Sequence, residues 1–148
     1  MTKSVGDEDI VRFIATGIGG VDRLTANEDD FFFYDPGAGR EVDRRLPFAT
    51  IVRGTRYDTY SDLGCPGTFR LNLGVGKETF RRLFGDGAKG TAWDYTALDH
   101  IMPHPEYGMM HWICVVNPSA ASFAALRPML TEAWDLAKTR YDRQHREG

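Results

Sequence analysis

The chain is poor in the features that most often announce a function. Its two cysteines, Cys65 and Cys114, lie far apart and form no Cys-x-x-Cys pair. A disulfide scaffold and a paired-thiolate zinc site are therefore excluded, and both thiols are expected to be reduced. No apolar run approaches the ~18 residues of a membrane span. The opening Met-Thr-Lys-Ser-Val-Gly-Asp-Glu-Asp is polar and lacks the apolar core of an export signal, so a cytoplasmic location and no membrane partner are expected. There is no basic excess: 18 Lys and Arg face 21 Asp and Glu, for a net charge of −3. That balance argues against nucleic acid as a partner, which normally calls for a basic footprint. Gly-x-Ser-x-Gly and His-Glu-x-x-His are both absent, which removes the common signatures of a serine hydrolase and a zinc protease. No internal repeat or low-complexity linker divides the chain, so residues 1–148 read as a single domain.

What is present is ordinary globular material, 42% hydrophobic and 26% charged over 148 residues. A chain of this size buries roughly 70% of its unfolded surface and needs no staple to fold. Asp7 to Thr16 reads as a first helix, with Ile10, Phe13 and Ile14 on one face and glycines ending it. Phe31–Tyr34 and Phe48–Arg53 read as strands, so residues 31–53 are expected to form a hairpin with a long polar loop. Residues 55–68 are rich in turn formers. Phe69, Leu71 and Leu73 alternate with Arg70 and Asn72, the period of a half-buried strand, and run through Gly74 and Gly76 into a helix beginning near Lys77. Tyr95 to Ile101 is expected to be a short helix, and His111 to Val116 a strand. Ser119 is a good N-cap for a final helix over 120–143, whose stripe is Phe123, Leu126, Leu130, Trp134, Ala137 and Tyr141. Pro128 should kink that helix or move its start toward Arg127. This order of elements predicts an α+β fold in two layers, an antiparallel sheet with the N-terminal helix and the long C-terminal helix on one face.

Three groups of residues carry candidate chemistry. His100, His104 and His111, with Asp99 and Cys114, are metal-ligating types. Pro103 and Pro105 interrupt the helical face that His100 and His104 would share, and strand alternation puts His111 and Cys114 on opposite sides. No metal and no cofactor is expected from them. His104, between its two prolines, reads more simply as a side chain that hydrogen-bonds to fix a loop. The second group is an anion site: Lys77 and the free N–H groups of its helix, Arg70 on the preceding strand, and Arg44 and Arg45 from the hairpin loop. The near-P-loop spacing fails, because Leu71 stands where the first glycine belongs and Glu78 where Ser or Thr would hold magnesium. The competing reading pairs Arg70 with an acid on a neighbouring strand and leaves Lys77 solvated. The third group is a polar sheet face carrying Arg70 and Asn72. The next strand adds either His111 or Trp112, according to register, and Tyr34 and Tyr57 ring the face. A sheet covered on one side only would show the same pattern without any function. Five arginines between Arg40 and Arg56 face Glu41 and Asp43 and read as solvated surface. Lys138, Arg140, Arg143 and Arg146 interleave with acids, as in a soluble amphipathic helix.

Phe31-Phe-Phe-Tyr-Asp35, Asp43-Arg-Arg-Leu-Pro-Phe-Ala-Thr-Ile-Val52, Phe69 to Phe80, Asp94-Tyr-Thr-Ala-Leu-Asp99 and Pro103-His-Pro105 resemble the family catalogued as domain of unknown function 6194. The resemblance covers nearly the whole chain and implies no activity. More distantly, His111-Trp112 opening a strand, followed by a long helix with Trp134 near its middle, is similar to the MmcQ/YjbR family. That similarity implies a CyaY-like α+β fold. The reading that follows is a binding module for a small ligand or a protein partner, without catalysis. An enzyme or carrier for a small anionic metabolite, using Arg70, Asn72, Lys77 and His104, ranks second, and a DNA-binding module third. Phe32, Tyr34 and Trp112 would supply an interaction surface if they faced outward, and a sheet edge would offer a route to a homodimer.

Overall fold

The computed structural model describes residues 5–37, 46–56, 58–85 and 92–144. Helix α1 (Asp7–Arg12) opens with Asp7, Glu8 and Asp9, whose charges suit a helix N-terminus, and passes into a π-helical turn over Phe13–Gly17. A hairpin follows that the sequence reading did not anticipate. Strand β1 (Val21–Ala26) pairs antiparallel with β2 (Asp29–Tyr34) across a two-residue turn, Asn27–Glu28, with φ of 53° and 74°. β1 escapes a periodicity search because it is an edge strand with few apolar residues, and its turn lacks the usual glycine. Strands β3 (Ala49–Arg53) and β4 (Phe69–Gly74) come next, then α2 (Lys77–Phe84), β5 (Met102–Pro103), a 3-10 turn over Gly108–Met110, β6 (Trp112–Val116) and α3 (Ala120–Gln144). The strands form one antiparallel sheet in the order β1-β2-β3-β4-β6-β5, and β2 and β3 are neighbours as expected.

One face of the sheet presents Phe32, Ala49, Ile51, Leu71, Leu73, Ile113 and Val115 to Ile10 and Ile14 of α1 and to Phe123, Leu126 and Leu130 of α3. This is the core, and each fully buried side chain of this size contributes roughly 1.5–3 kcal/mol. The fold is thus α+β, with the N-terminal and long C-terminal helices packed on a single antiparallel sheet. Ser119 caps α3, its Oγ accepting the Ser122 N–H at 3.2 Å. The helix runs unbroken past Pro128, which lies on the exposed side. The Ala124 carbonyl left without an N–H partner there can be hydrated instead. Trp134 reaches back to donate its indole N–H to the Gly20 carbonyl at 2.8 Å. Its ring lies so close that a Cβ at Gly20 would meet it at 3.1 Å, and Gly20 also has φ of +65°. Among the described residues no helix is long and apolar enough to cross a membrane.

The second face departs from the half-buried expectation. Arg70 and Asn72 are 2% and 1% exposed. Residues 58–63 cover them, with Asp58, Ser61 and Leu63 buried and Asp58 and Ser61 in contact with Arg70. Residues 95–101 lie beyond β6. That segment is not a helix. Leu98 bridges to Val116, and the Asp99 N–H donates to the Val116 carbonyl at 2.7 Å. Asp94 accepts the Thr96 N–H at 3.0 Å, as a helix N-cap would, but Asp99 has φ of 57° and ends any helix there.

Candidate functional site

Two features share the second face of the sheet: a buried polar network and, beside it, an open cleft. The network starts from Arg70 on β4. Its Nη1 lies 2.7 Å from Asp58 Oδ1, with both side chains at 3% exposure or less. The contact is off the N–H axis, so Oδ1 gains charge attraction without an aligned hydrogen bond. The other oxygen, Oδ2, accepts the Ser61 N–H at 2.9 Å. Arg70 also donates from Nε to Asn72 Oδ1 at 3.0 Å and from Nη1 to Ser61 Oγ at 3.2 Å. Asn72 donates onward to Thr50 Oγ1 at 3.0 Å. Cys114 lies in the same cross-strand row as Thr50 and Asn72. Burial pushes its thiol up to about 12, which removes it as a nucleophile at neutral pH.

The cleft lies where β5 turns into β6. His104 sits just after β5, and its backbone N–H donates to the Trp112 carbonyl at 2.9 Å. Its Nδ1 accepts two backbone N–H groups, from Glu106 at 3.0 Å and Tyr107 at 3.1 Å. Two donors aimed at one nitrogen require a lone pair there, so the ring is neutral and carries its proton on Nε2. Burial, reinforced by the nearby Arg70 charge, lowers its pKa to about 4. The space in front is about 750 Å³. Pro103, His104 and Tyr95 line its deeper part, Phe80 and Trp93 supply aromatic walls, and Lys77, Glu106, Met109 and His111 stand toward solvent. The Tyr95 hydroxyl donates to the Pro103 carbonyl at 2.9 Å. His111 is not on the strand. It ends the 3-10 turn in the left-handed region, φ 67°, with its ring edge-on to Phe80 at 5.5 Å.

The structure therefore divides the sequence-predicted residues. Lys77, His104 and His111 meet in the cleft. Arg70 and Asn72 meet in the network next to it, and His104 feels the charges of Arg70 and Asp58. Of His111 and Trp112, it is Trp112, opposite Gly74, that shares their face, with Cys114 and Val116; a Cβ on Gly74 would lie 2.9 Å from its indole nitrogen. Tyr34 is on the core side instead, its ring 5.3 Å from Trp134 and 5.4 Å from Tyr141. Arg44, Arg45 and Tyr57 lie outside the described residues. Among the described residues no cluster of three or more His, Cys, Asp or Glu side chains is placed to hold a metal ion. Asp58, Ser61, Phe80, Trp93 and Tyr95 emerge only from the fold. The one signal for Asp58 was that an arginine within an apolar strand needs an acid.

The N-terminus of α2 already has its anion, and it is this chain's own. Glu132 of α3 accepts the Gly76 N–H at 2.6 Å and the Thr79 hydroxyl at 2.7 Å. Glu132→Ala should leave both donors without their acceptor and lower stability by about 1–3 kcal/mol in urea unfolding. Thr79→Ala, which removes one of the two bonds, should cost less, and equal losses would contradict this arrangement.

By fold and site this is an α+β domain with a ring-walled cleft flanking its sheet. A family model described as "Family of unknown function (DUF6194)" matches residues 3–146, and the chain belongs to that family. No curated protein and no solved structure matches it. The likeness to the MmcQ/YjbR family rests on the sequence pattern alone.

Proposed function

We propose that this domain is a binding module for a small organic ligand, held without catalysis in the cleft between α2 and residues 103–111. One observation carries the reading. His104 is 6% exposed, its Nδ1 is saturated by two backbone N–H groups, and among the described residues nothing accepts from its Nε2. Nε2 is not among the buried unpartnered side-chain atoms, so it stands open to the cleft as a donor, where a ligand's acceptor would take the place of water. The absence of catalysis is supported by the state of the reactive groups: Arg70 is tied to Asp58, and the Cys114 thiol stays protonated. A cytoplasmic location accords with two free cysteines, one of them exposed.

Asparagine at 104 separates the two roles of the histidine. Its Oδ1 can occupy the place of Nδ1 and keep the turn, whereas nothing replaces Nε2. In a thermal-shift screen of small metabolites, a ligand at a hundred times its Kd should stabilise the wild-type domain by about 2.7 kcal/mol. His104→Asn should retain a folded transition and lose that shift. A ligand whose shift survives in His104→Asn binds elsewhere and would refute the cleft reading.

A further inference from the structure

We infer that the cleft takes an uncharged planar carbonyl compound, of the aromatic or cyclic amide class, whose oxygen accepts from His104 Nε2 while its ring lies along Phe80 and Trp93. The inference rests on the cleft reading above and adds the ligand's chemistry to it.

The unused hydrogen-bonding groups in the cleft's interior are donors. His104 Nε2 is an open donor, and the indole nitrogen of Trp93, also on the cleft's lining, is buried with no acceptor among the described residues. The Tyr95 hydroxyl proton is already committed to the Pro103 carbonyl. A ligand that satisfies this set must bring acceptor oxygen. The walls favour a flat body, since the lining rings Phe80 and Trp93 are held in an edge-to-face series through Phe84 behind them, at 4.9 and 5.6 Å.

The charge of that oxygen is set by what lies behind it. His104 is neutral by its two Nδ1 contacts, and the Arg70 charge is balanced by Asp58 at 2.7 Å. The charged groups stand at the exposed rim with mixed signs: Lys77, Glu106, and Arg81, which has a partner of its own. A carboxylate reaching His104 would be desolvated over a floor whose arginine is already paired with Asp58, whereas a neutral carbonyl gains a hydrogen bond without stripping water from an ion. The helix N-terminus that might have compensated such a charge is occupied by Glu132.

The test titrates the intact domain at pH 7 with benzamide and 2-pyridone, with benzoate as the anionic counterpart, and with toluene as a ring without an acceptor. Binding is followed by NMR at the His104 ring nitrogens and the Trp93 indole N–H. Benzamide and 2-pyridone should move both signals. Benzoate and toluene should bind about tenfold more weakly or not at all, the worth of one well-made contact. His104→Asn should remove the preference for the carbonyl compounds. Tighter binding of benzoate, weakened by Lys77→Met, would overturn the ligand class while leaving the cleft reading standing. Toluene equal to benzamide would do the same, because no acceptor would then be recognised. If none of the four moves a cleft signal at millimolar concentration, both readings fall together.

Discussion

Arg70→Met should destabilise the domain by about 3–5 kcal/mol, the usual consequence of removing one partner from a buried ion pair. The variant strands Asp58, 2% exposed, with the Ser61 N–H as its remaining hydrogen bond. It also removes the donors to Asn72 Oδ1 and Ser61 Oγ, so the loss spreads along the network. Against a total stability of about 5–15 kcal/mol for a domain, such a loss can empty the native state at growth temperature. The double replacement Arg70→Met, Asp58→Leu removes both charges at once and should recover most of the loss, because a hydrophobic pair of similar volume avoids the desolvation of two ions. Urea unfolding of the two singles and the double gives the coupling directly. Single variants costing under about 1 kcal/mol would place the pair among solvated surface bridges and contradict its burial.

That the pair exists was only half legible in the sequence. The alternation of Phe69, Leu71 and Leu73 identifies β4 and its core face correctly, because a strand's period is local. It also makes Arg70 and Asn72 look exposed, since the segment that covers them, residues 58–63, has no periodicity. The expectation that Arg70 pairs with an acid on a neighbouring strand was right about the chemistry and wrong about the element, as Asp58 comes from a loop. Glu132 could not have been foreseen from the sequence near α2. A helix N-terminus announces its need for an acceptor, while the residue that meets it lies 56 positions away. His104 was the most readable of the site residues. Flanking prolines fix its backbone and mark a turn, and the structure shows Nδ1 closing that turn on Glu106 and Tyr107. The free Nε2 follows only from the burial of the ring by other parts of the chain. The expected helix over 95–101 failed because its C-terminal half joins the sheet: Leu98 bridges to Val116, the Asp99 N–H goes to the Val116 carbonyl, and Asp99 has φ of 57°.

The ring of His104 should also make the domain acid-sensitive. Its folded pKa is lowered from 6.5 to about 4, chiefly by burial and secondarily by Arg70, with Asp58 opposing. Above pH 6.5 the imidazole is neutral in both folded and unfolded chains, and its contribution is fully present. Between pH 6.5 and 4 the unfolded chain takes up a proton that the folded chain refuses, so stability must fall as pH falls. At about 1.4 kcal/mol per pH unit the loss approaches about 3 kcal/mol by pH 4. The structural event is specific. A proton on Nδ1 cannot coexist with the Glu106 and Tyr107 N–H groups directed at it, so protonation opens the turn at the base of the cleft. His104→Asn keeps an oxygen acceptor there and does not titrate. Unfolding free energies of wild type and His104→Asn, measured from pH 7.5 to 4, should therefore diverge, with the wild type losing stability more steeply below pH 6.5. Parallel curves would mean that the ring accepts its proton in the folded state as readily as in the unfolded one. In that case the two backbone donors do not hold Nδ1, and the Nε2–H donor that the cleft depends on is not fixed.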